Sequence, residues 1–282
     1  MEYKIPLRRD TTRLCQNGCS GHRNSLTLLS RPVASLGIFG ANCGTWVYRD
    51  ARPLPPADWF DWLSGQAPAR ALAWDVGCGN GQGSTGLATH FARVIATDPS
   101  ATQITAATRH ARIDYRVEPA ERSSLEDRSV SLISVSQALH WFELERFYAE
   151  VRRVARPGAL LAISAYGNCS VDRAVDAVER ILYADTLGED WPPERALVDA
   201  GYRDLAFPFV RVDTPSFAMQ ADWDLARFLA YLRSWSATQR HLKRTGGDPV
   251  AAASPALADA WGDPAQVRRV RWPFLTVVGR VG

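Results

Sequence analysis

The stretch from Ala71 to Gly83, ALAWDVGCGNGQG, constrains the fold more than any other part of the chain. Its apolar opening reads as a buried strand. Glycines then follow at 77, 79, 81 and 83, a spacing that lets the backbone take left-handed conformations and lets a ligand approach closely. Ser84 to Phe91 continues as a helix with Leu87, Ala88 and Phe91 on one face. Strand, glycine turn and helix in this order form the unit of parallel α/β sheets, with the ligand beyond the carboxyl end of the strand. The dinucleotide fingerprint G-x-G-x-x-G, counted from Gly77, requires glycine at 82, where this chain has Gln82. Asp75, two residues before the first glycine, is also foreign to that fingerprint. An acid there suits a cationic ligand or turn amides better than a pyrophosphate.

The pattern Asp75-x-Gly77-x-Gly79-x-Gly81 resembles the first motif of the class I S-adenosylmethionine-dependent methyltransferases. The resemblance implies that Asp75, Gly77, Cys78, Gly79, Asn80 and Gly81 surround the methionine part of S-adenosyl-L-methionine. A second strand, Arg93 to Asp98, ends in an acid 19 residues past Gly79. At about that spacing a carboxylate takes both ribose hydroxyls, in NAD enzymes and methyltransferases alike, so Asp98, followed by Pro99, indicates an adenosine ligand of either kind. Arg112–Val117 reads as a third strand, and the loop after it places Ala120 and Glu121 where the family contacts adenine. A fourth strand ends near Val135 and leads through Gln137 into Ala138-Leu139-His140-Trp141. This A-x-H-W signature is similar to that of the methyltransferase type 11 and trans-aconitate methyltransferase-like subgroup. Further likenesses are the Arg156-Pro157-Gly158 turn before a fifth strand at 159–166, the lead-in Tyr48-x3-Arg52-Pro53, and the segment Tyr231 to Arg240. The motifs are dense over 71–166, and the resemblance extends over about 48–282.

The fold expected is therefore α/β: a doubly wound, mostly parallel, Rossmann-like sheet, seven-stranded if the resemblance holds, with helical elements covering the cleft. Residues 46–282 form the methyltransferase domain, with a cofactor-binding half at 71–166 and a helical cap insert at about 213–265. A sixth strand is expected at 207–212, a long helical stretch at 222–242, and a seventh strand at 272–281. Substrate-facing candidates are Tyr48, Arg52, Trp141, Tyr166 and Trp235; the aromatic stripe around Trp235 also suits a core. His140 reads as a general base near neutral pH or as a positioned hydrogen-bond donor packed under Trp141, and positioning is the preferred role.

Composition excludes some classes. The net charge of +3 is too small to argue for nucleic acid, and no apolar run approaches a membrane span. Residues 1–45 hold six basic and two acidic side chains and no sustained periodicity, and read as an atypical, poorly ordered leader. Cys15, Cys19 and His22 match no standard metal-site spacing, so no metal is expected. Five cysteines, one inside the glycine turn, argue against a disulfide framework and for the cytoplasm. The expected activity is methyl transfer to a small-molecule acceptor, carboxylates included. The rival readings are an NAD(P)-dependent oxidoreductase and a non-catalytic protein of the same fold.

Overall fold

The computed structural model describes residues 51–203 and 205–282; the leader at 1–45 and Tyr48 lie outside the described residues. The elements that position the site begin with helix α1 (Ala57–Gln66), strand β1 (Leu72–Val76), α2 (Gln82–Ala88), β2 (Arg93–Asp98), α3 (Ala101–Thr105), β3 (Ile113–Val117) and β4 (Val130–Ser136). They continue with α4 (Leu144–Val154), β5 (Ala155–Tyr166), α5 (Arg173–Arg180), α6 (Arg195–Asp199), β6 (Val210–Arg211), β7 (Met219–Trp223), α7 (Leu225–Arg233), α8 (Ser236–Thr245), α9 (Pro249–Trp261), β8 (Arg268–Trp272) and β9 (Phe274–Arg280).

Seven strands form one sheet in the order β3-β2-β1-β4-β5-β9-β6. The first five run parallel, as right-handed crossovers through helices require, and β9 lies antiparallel to β5. The order reverses at β1, so the crevice opens beyond the ends of β1 and β4, where ligands bind in open α/β sheets. Both faces are covered. Trp59, Phe60 and Leu63 of α1 and Leu87 of α2 pack with Leu132 and Leu160 on one face. Phe147, Val151 and Val154 of α4 pack with Trp74, Ile133 and Leu161 on the other. Strands buried on both faces explain the near-continuous apolar runs at 72–76 and 159–163.

A second core gathers Tyr166, Cys169, Val175, Tyr231, Trp235, Trp261 and Trp272 around the two-stranded sheet β7–β8. The helical stretch expected at 222–242 is broken at Ser234 and Trp235 into α7 and α8, and β7 precedes it. The expected strand 272–281 divides at Pro273, which has no amide hydrogen to give a ladder. Trp272 stays in β8, whereas 274–280 cross into the main sheet as β9. The expected sixth strand narrows to Val210–Arg211, because Phe207 and Phe209 turn their rings onto Tyr148 instead. Helix α9 was not expected. Asp248 caps it by accepting from the Val250 and Ala251 amides, with Pro249 at its first turn. Among the described residues no helix is long and apolar enough to cross a membrane.

Candidate functional site

The glycine turn is held from several sides. The Cys78 amide donates to the Thr97 carbonyl at 3.0 Å, tying the turn to β2. Gly79 N–H donates to Asp98 Oδ2 and Ser100 N–H to Asp98 Oδ1, both at 2.9 Å. The Asp98 carboxylate thus braces the loop with both oxygens, and each oxygen keeps acceptor capacity for a further donor. Gly77 and Gly79 have φ of +65° and +54°, a region that L side chains enter at a cost. Their surroundings differ. A side chain on Gly77 would collide with Ala138 and Phe142, whereas one on Gly79 would meet nothing nearer than Gln103 Oε1 at 4.0 Å. Gly77 is fixed by packing against the loop after β4, whereas Gly79 faces open space.

Beneath Gly83 lies Asp75, 1% exposed. Its Oδ2 accepts from Ser84 Oγ at 2.6 Å, while Oδ1 has no hydrogen-bond partner among the described residues. Burial, offset by the Ser84 hydrogen bond and reinforced by the charge of Asp98, pushes its carboxyl up to about 7. The Cys78 thiol is also pushed up, by burial and the same two carboxylates, so it is inert as a nucleophile.

A cavity of about 180 Å³ opens at this turn, lined by Gly77, Cys78, Gly79, Asn80, Gln82 and Gly83 of the turn together with Gln103 beyond β2, Ser136 and Gln137 beyond β4, and Arg52, Tyr166 and Phe274. Gln137 has φ +54°. Its amide donates to the Ser164 carbonyl at 2.9 Å and its side-chain Nε2 to the Tyr166 carbonyl at 3.1 Å, a strained conformation fixed from two sides.

Arg52 and Tyr166 also belong to a second, smaller cavity of about 30 Å³, room for about two waters or one group of that size. Arg52 donates to Tyr166 Oη at 3.1 Å and to the Ser234 carbonyl at 2.6 Å. Opposite, Arg195 lies over the rings of Trp191 and Tyr183, 5.1 and 5.9 Å from their centroids, and its Nε donates to Asp199 at 2.9 Å. Tyr231 and Trp235, with ring centroids 5.6 Å apart, and Asn168 complete the box. Burial holds the Tyr231 phenol well above its ordinary range. The described residues lining the two cavities include two arginines and no histidine, aspartate or glutamate.

Of the residues singled out in the sequence, Gly77, Cys78, Gly79, Asn80 and Gln137 line the larger cavity, and Gly81 lines an adjoining groove. Asp98, Pro99, Ala120 and Glu121 stand outside the lining, and Glu121 accepts from the Glu143 amide at 2.9 Å. Arg52, Tyr166 and Trp235 come together in the smaller box. Trp141 does not join them: it is 54% exposed, because Ala138 and Phe142, not Trp141, turn inward onto Gly77. His140 is not packed under Trp141 alone. Its Nδ1 is 3.0 Å from Tyr202 Oη, and Tyr202 is buried with φ +54°. Burial, aided by the charge of Arg195, lowers His140 to about 4, so its ring is neutral at physiological pH. Sequence reasoning did not find Arg195, Asn168, Glu179 and Tyr202. The run Trp191-Pro-Pro-Glu-Arg195 carried the signal for Arg195, an arginine one turn past an aromatic at a helix start. Among the described residues no cluster of side chains could hold a metal ion.

A methyltransferase domain family matches residues 74–163, from inside β1 to near the end of β5. An uncharacterised methyltransferase of Mycobacterium tuberculosis is 35% identical over 251 residues, covering 86% of this chain and 94% of that protein. A candidate methyltransferase of Dictyostelium discoideum is 33% identical over 195 residues, covering 68% of this chain and 74% of its own. The solved structure of a candidate type II methyltransferase from Anaeromyxobacter dehalogenans is 50% identical. It superposes with a TM-score of 0.76 over 82% of this chain and 98% of that one.

Proposed function

The chain belongs to the class I S-adenosylmethionine-dependent methyltransferases, and on that footing we propose that it methylates a small organic acceptor held by a carboxylate group in the Arg52–Arg195 box. The cofactor is S-adenosyl-L-methionine, which supplies an electrophilic sulfonium methyl when bound. The residues present fit it. Gly79 leaves bare backbone where a side chain would intrude on open space. Asp75 Oδ1, without a hydrogen-bond partner among the described residues, is a buried acceptor suited to the ammonium group of the methionine part. Asp98, already fixed by two amides, is suited to the ribose hydroxyls. Asn80, Gln137 and the adenine-side pair Ala120 and Glu121 complete the proposed cofactor set.

The observation that carries the acceptor reading is the wall shared by the two cavities. Arg52 and Tyr166 line both, so an acceptor anchored in the smaller one reaches toward the larger. The lining is cationic, and its aromatic faces exclude water around the guanidinium groups, which strengthens their pull on an anion. A carboxylate is ionised at neutral pH, so the anchoring group carries the charge that the two arginines attract. The chain's work is then to hold the acceptor in line with the methyl group and to exclude water. His140, neutral and bonded to Tyr202, serves to position the loop after β4.

The test is methyl transfer from radiolabelled cofactor to panels of small carboxylic acids, amines and phenols. The expected outcome is that carboxylic acids are methylated, and that Arg195→Met lowers kcat/KM for them by about 10- to 100-fold, in line with roughly 1.5–3 kcal/mol for a charge-assisted hydrogen bond. Turnover confined to amines or phenols, unaffected by Arg195→Met, would overturn the acceptor class.

A further inference from the structure

One carboxyl group lies directly behind the box. Glu179, on α5, is 3% exposed. Its Oε2 accepts from Asn168 Nδ2 at 3.1 Å, and its Oε1 has no hydrogen-bond partner among the described residues. Asn168 is itself a lining residue. Its Oδ1 accepts from the Cys169 amide at 3.0 Å, so the side-chain amide is oriented with its donor end toward Glu179. A buried carboxyl with an unsatisfied oxygen is costly when ionised, and nothing in the cofactor chemistry uses it.

We propose that Glu179 is a specificity-determining residue of the acceptor box: protonated, it adds no negative charge behind the Asn168 wall, and ionised, it opposes an anionic acceptor across that wall. The inference rests on the carboxylate reading of the box. The groups that face Glu179 from neighbouring elements are few. Asp176 on α5 itself raises its pKa and Arg195 on α6 lowers it, both by charge. Cys169, in the loop after β5, is a buried thiol held well above its ordinary range, with Glu179 among the causes. Helix α9, packed on α5, buries Pro249, Val250, Leu257 and Trp261 and no charge. Burial, the largest of these influences, pushes Glu179 up to about 7. In the same range Arg52 and Arg195 stay charged, Tyr231 and Cys169 stay protonated, and His140 stays neutral. Between pH 6 and 8, Glu179 changes charge behind the box and Asp75 changes charge beneath the glycine turn, and the Glu179 variants separate the two.

The experiment uses the full chain saturated with S-adenosylhomocysteine and takes acetate as the probe. Binding of carbon-13-labelled acetate is read by NMR at constant ionic strength at pH 6 and pH 8, where acetate is an anion throughout. Wild type should bind acetate about 5- to 10-fold more weakly at pH 8 than at pH 6. Glu179→Gln, which keeps an acceptor for Asn168, should hold the pH 6 affinity at both values. Glu179→Met serves as a second uncharged variant in case the first folds poorly, and should behave alike. If wild type and both variants bind acetate with the same pH dependence, Glu179 does not set the preference, and the box remains an anion site. If none binds acetate at either pH while S-adenosylhomocysteine still binds, the carboxylate reading fails, and this inference with it.

Discussion

At the scale of single residues, the site is governed by what backbone and carboxylates do around the glycine turn. Gly79→Val places a β-branched side chain at φ +54° and directs it into the larger cavity. The strained backbone should cost about 1–3 kcal/mol, a modest fall in Tm. Binding of S-adenosylhomocysteine should be lost in calorimetry although the sheet stays folded, and wild-type affinity in the variant would contradict the placement of the cofactor. Asp75 gives a pH signature. Its carboxyl, raised to about 7 by burial, is partly protonated in the free protein at neutral pH, and pairing with a ligand ammonium favours the ionised form. Binding of S-adenosylhomocysteine at pH 7 should therefore release a fraction of a proton. Calorimetry in buffers of different ionisation enthalpy should show a slope in wild type and none in Asp75→Asn; equal slopes would remove Asp75 from this role. Most of this turn was legible in the sequence because glycines at every second position mark a left-handed turn, whereas the left-handed Gln137 and Tyr202 carry no such mark. What the sequence did not carry is the bracing role of Asp98 toward Gly79 and Ser100: a carboxylate that braces a turn has the same spelling as one reserved for a ribose.

At the scale of elements, strands with both faces buried announce themselves by largely apolar segments, interrupted at Asp75 in β1 and at Ser131 and Ser134 in β4, so β1, β2, β4 and β5 were legible to within a few residues. The covering helices were harder. Helix α9 contains Pro255 and an alanine-rich turn that hide its period, although Asp248-Pro249 is a good start signal. The division at Pro273 depends on tertiary pairing, since β8 and β9 join different sheets. The box came from side chains on separate elements, at 52, 166, 191, 195 and 235, which no local pattern joins. One tie sets the wall that carries Trp191. Asp190, 5% exposed, accepts from Arg244 Nε at 2.9 Å and Nη2 at 2.7 Å, and lies 2.8 Å from His241 Nδ1, both partners being on α8. Arg244 above all, then His241, holds the Asp190 carboxyl down at about 2. A depressed acid contributes stability that is present above its unfolded pKa of about 3.9 and is lost as pH falls through the folded value. The Tm difference between wild type and Asp190→Asn should thus be constant from pH 7 to about 5 and shrink toward zero near pH 2. A difference that persists at pH 2 would mean that packing, not charge, is what the substitution disturbs.

At the scale of the whole molecule, the larger cavity is built from both the main sheet and the chain segments that lead into the second core, since Tyr166 and Phe274 flank the point where the chain crosses between the two sheets. A ligand seated there binds only the folded chain and should stabilise it by about 2.7 kcal/mol at one hundred times its Kd. For a domain of this size that corresponds to a rise in Tm of roughly 5–10 °C. Scanning calorimetry with S-adenosylhomocysteine should show the whole transition moving together, whereas a shift of only part of it would separate the second core from the sheet. The hydrogen-bonded pair Arg52–Tyr166 has a consequence of its own. These two side chains line both cavities, so with the two proposed ligands in place, any setting of that wall favoured by one would be handed to the other. The free energy linking the two binding events would have a single value, the same from either side. Whatever factor S-adenosylhomocysteine applied to the affinity for a carboxylate, the carboxylate would apply to S-adenosylhomocysteine, so under the proposed function the grip on a spent cofactor would be tuned by the occupant of the neighbouring box.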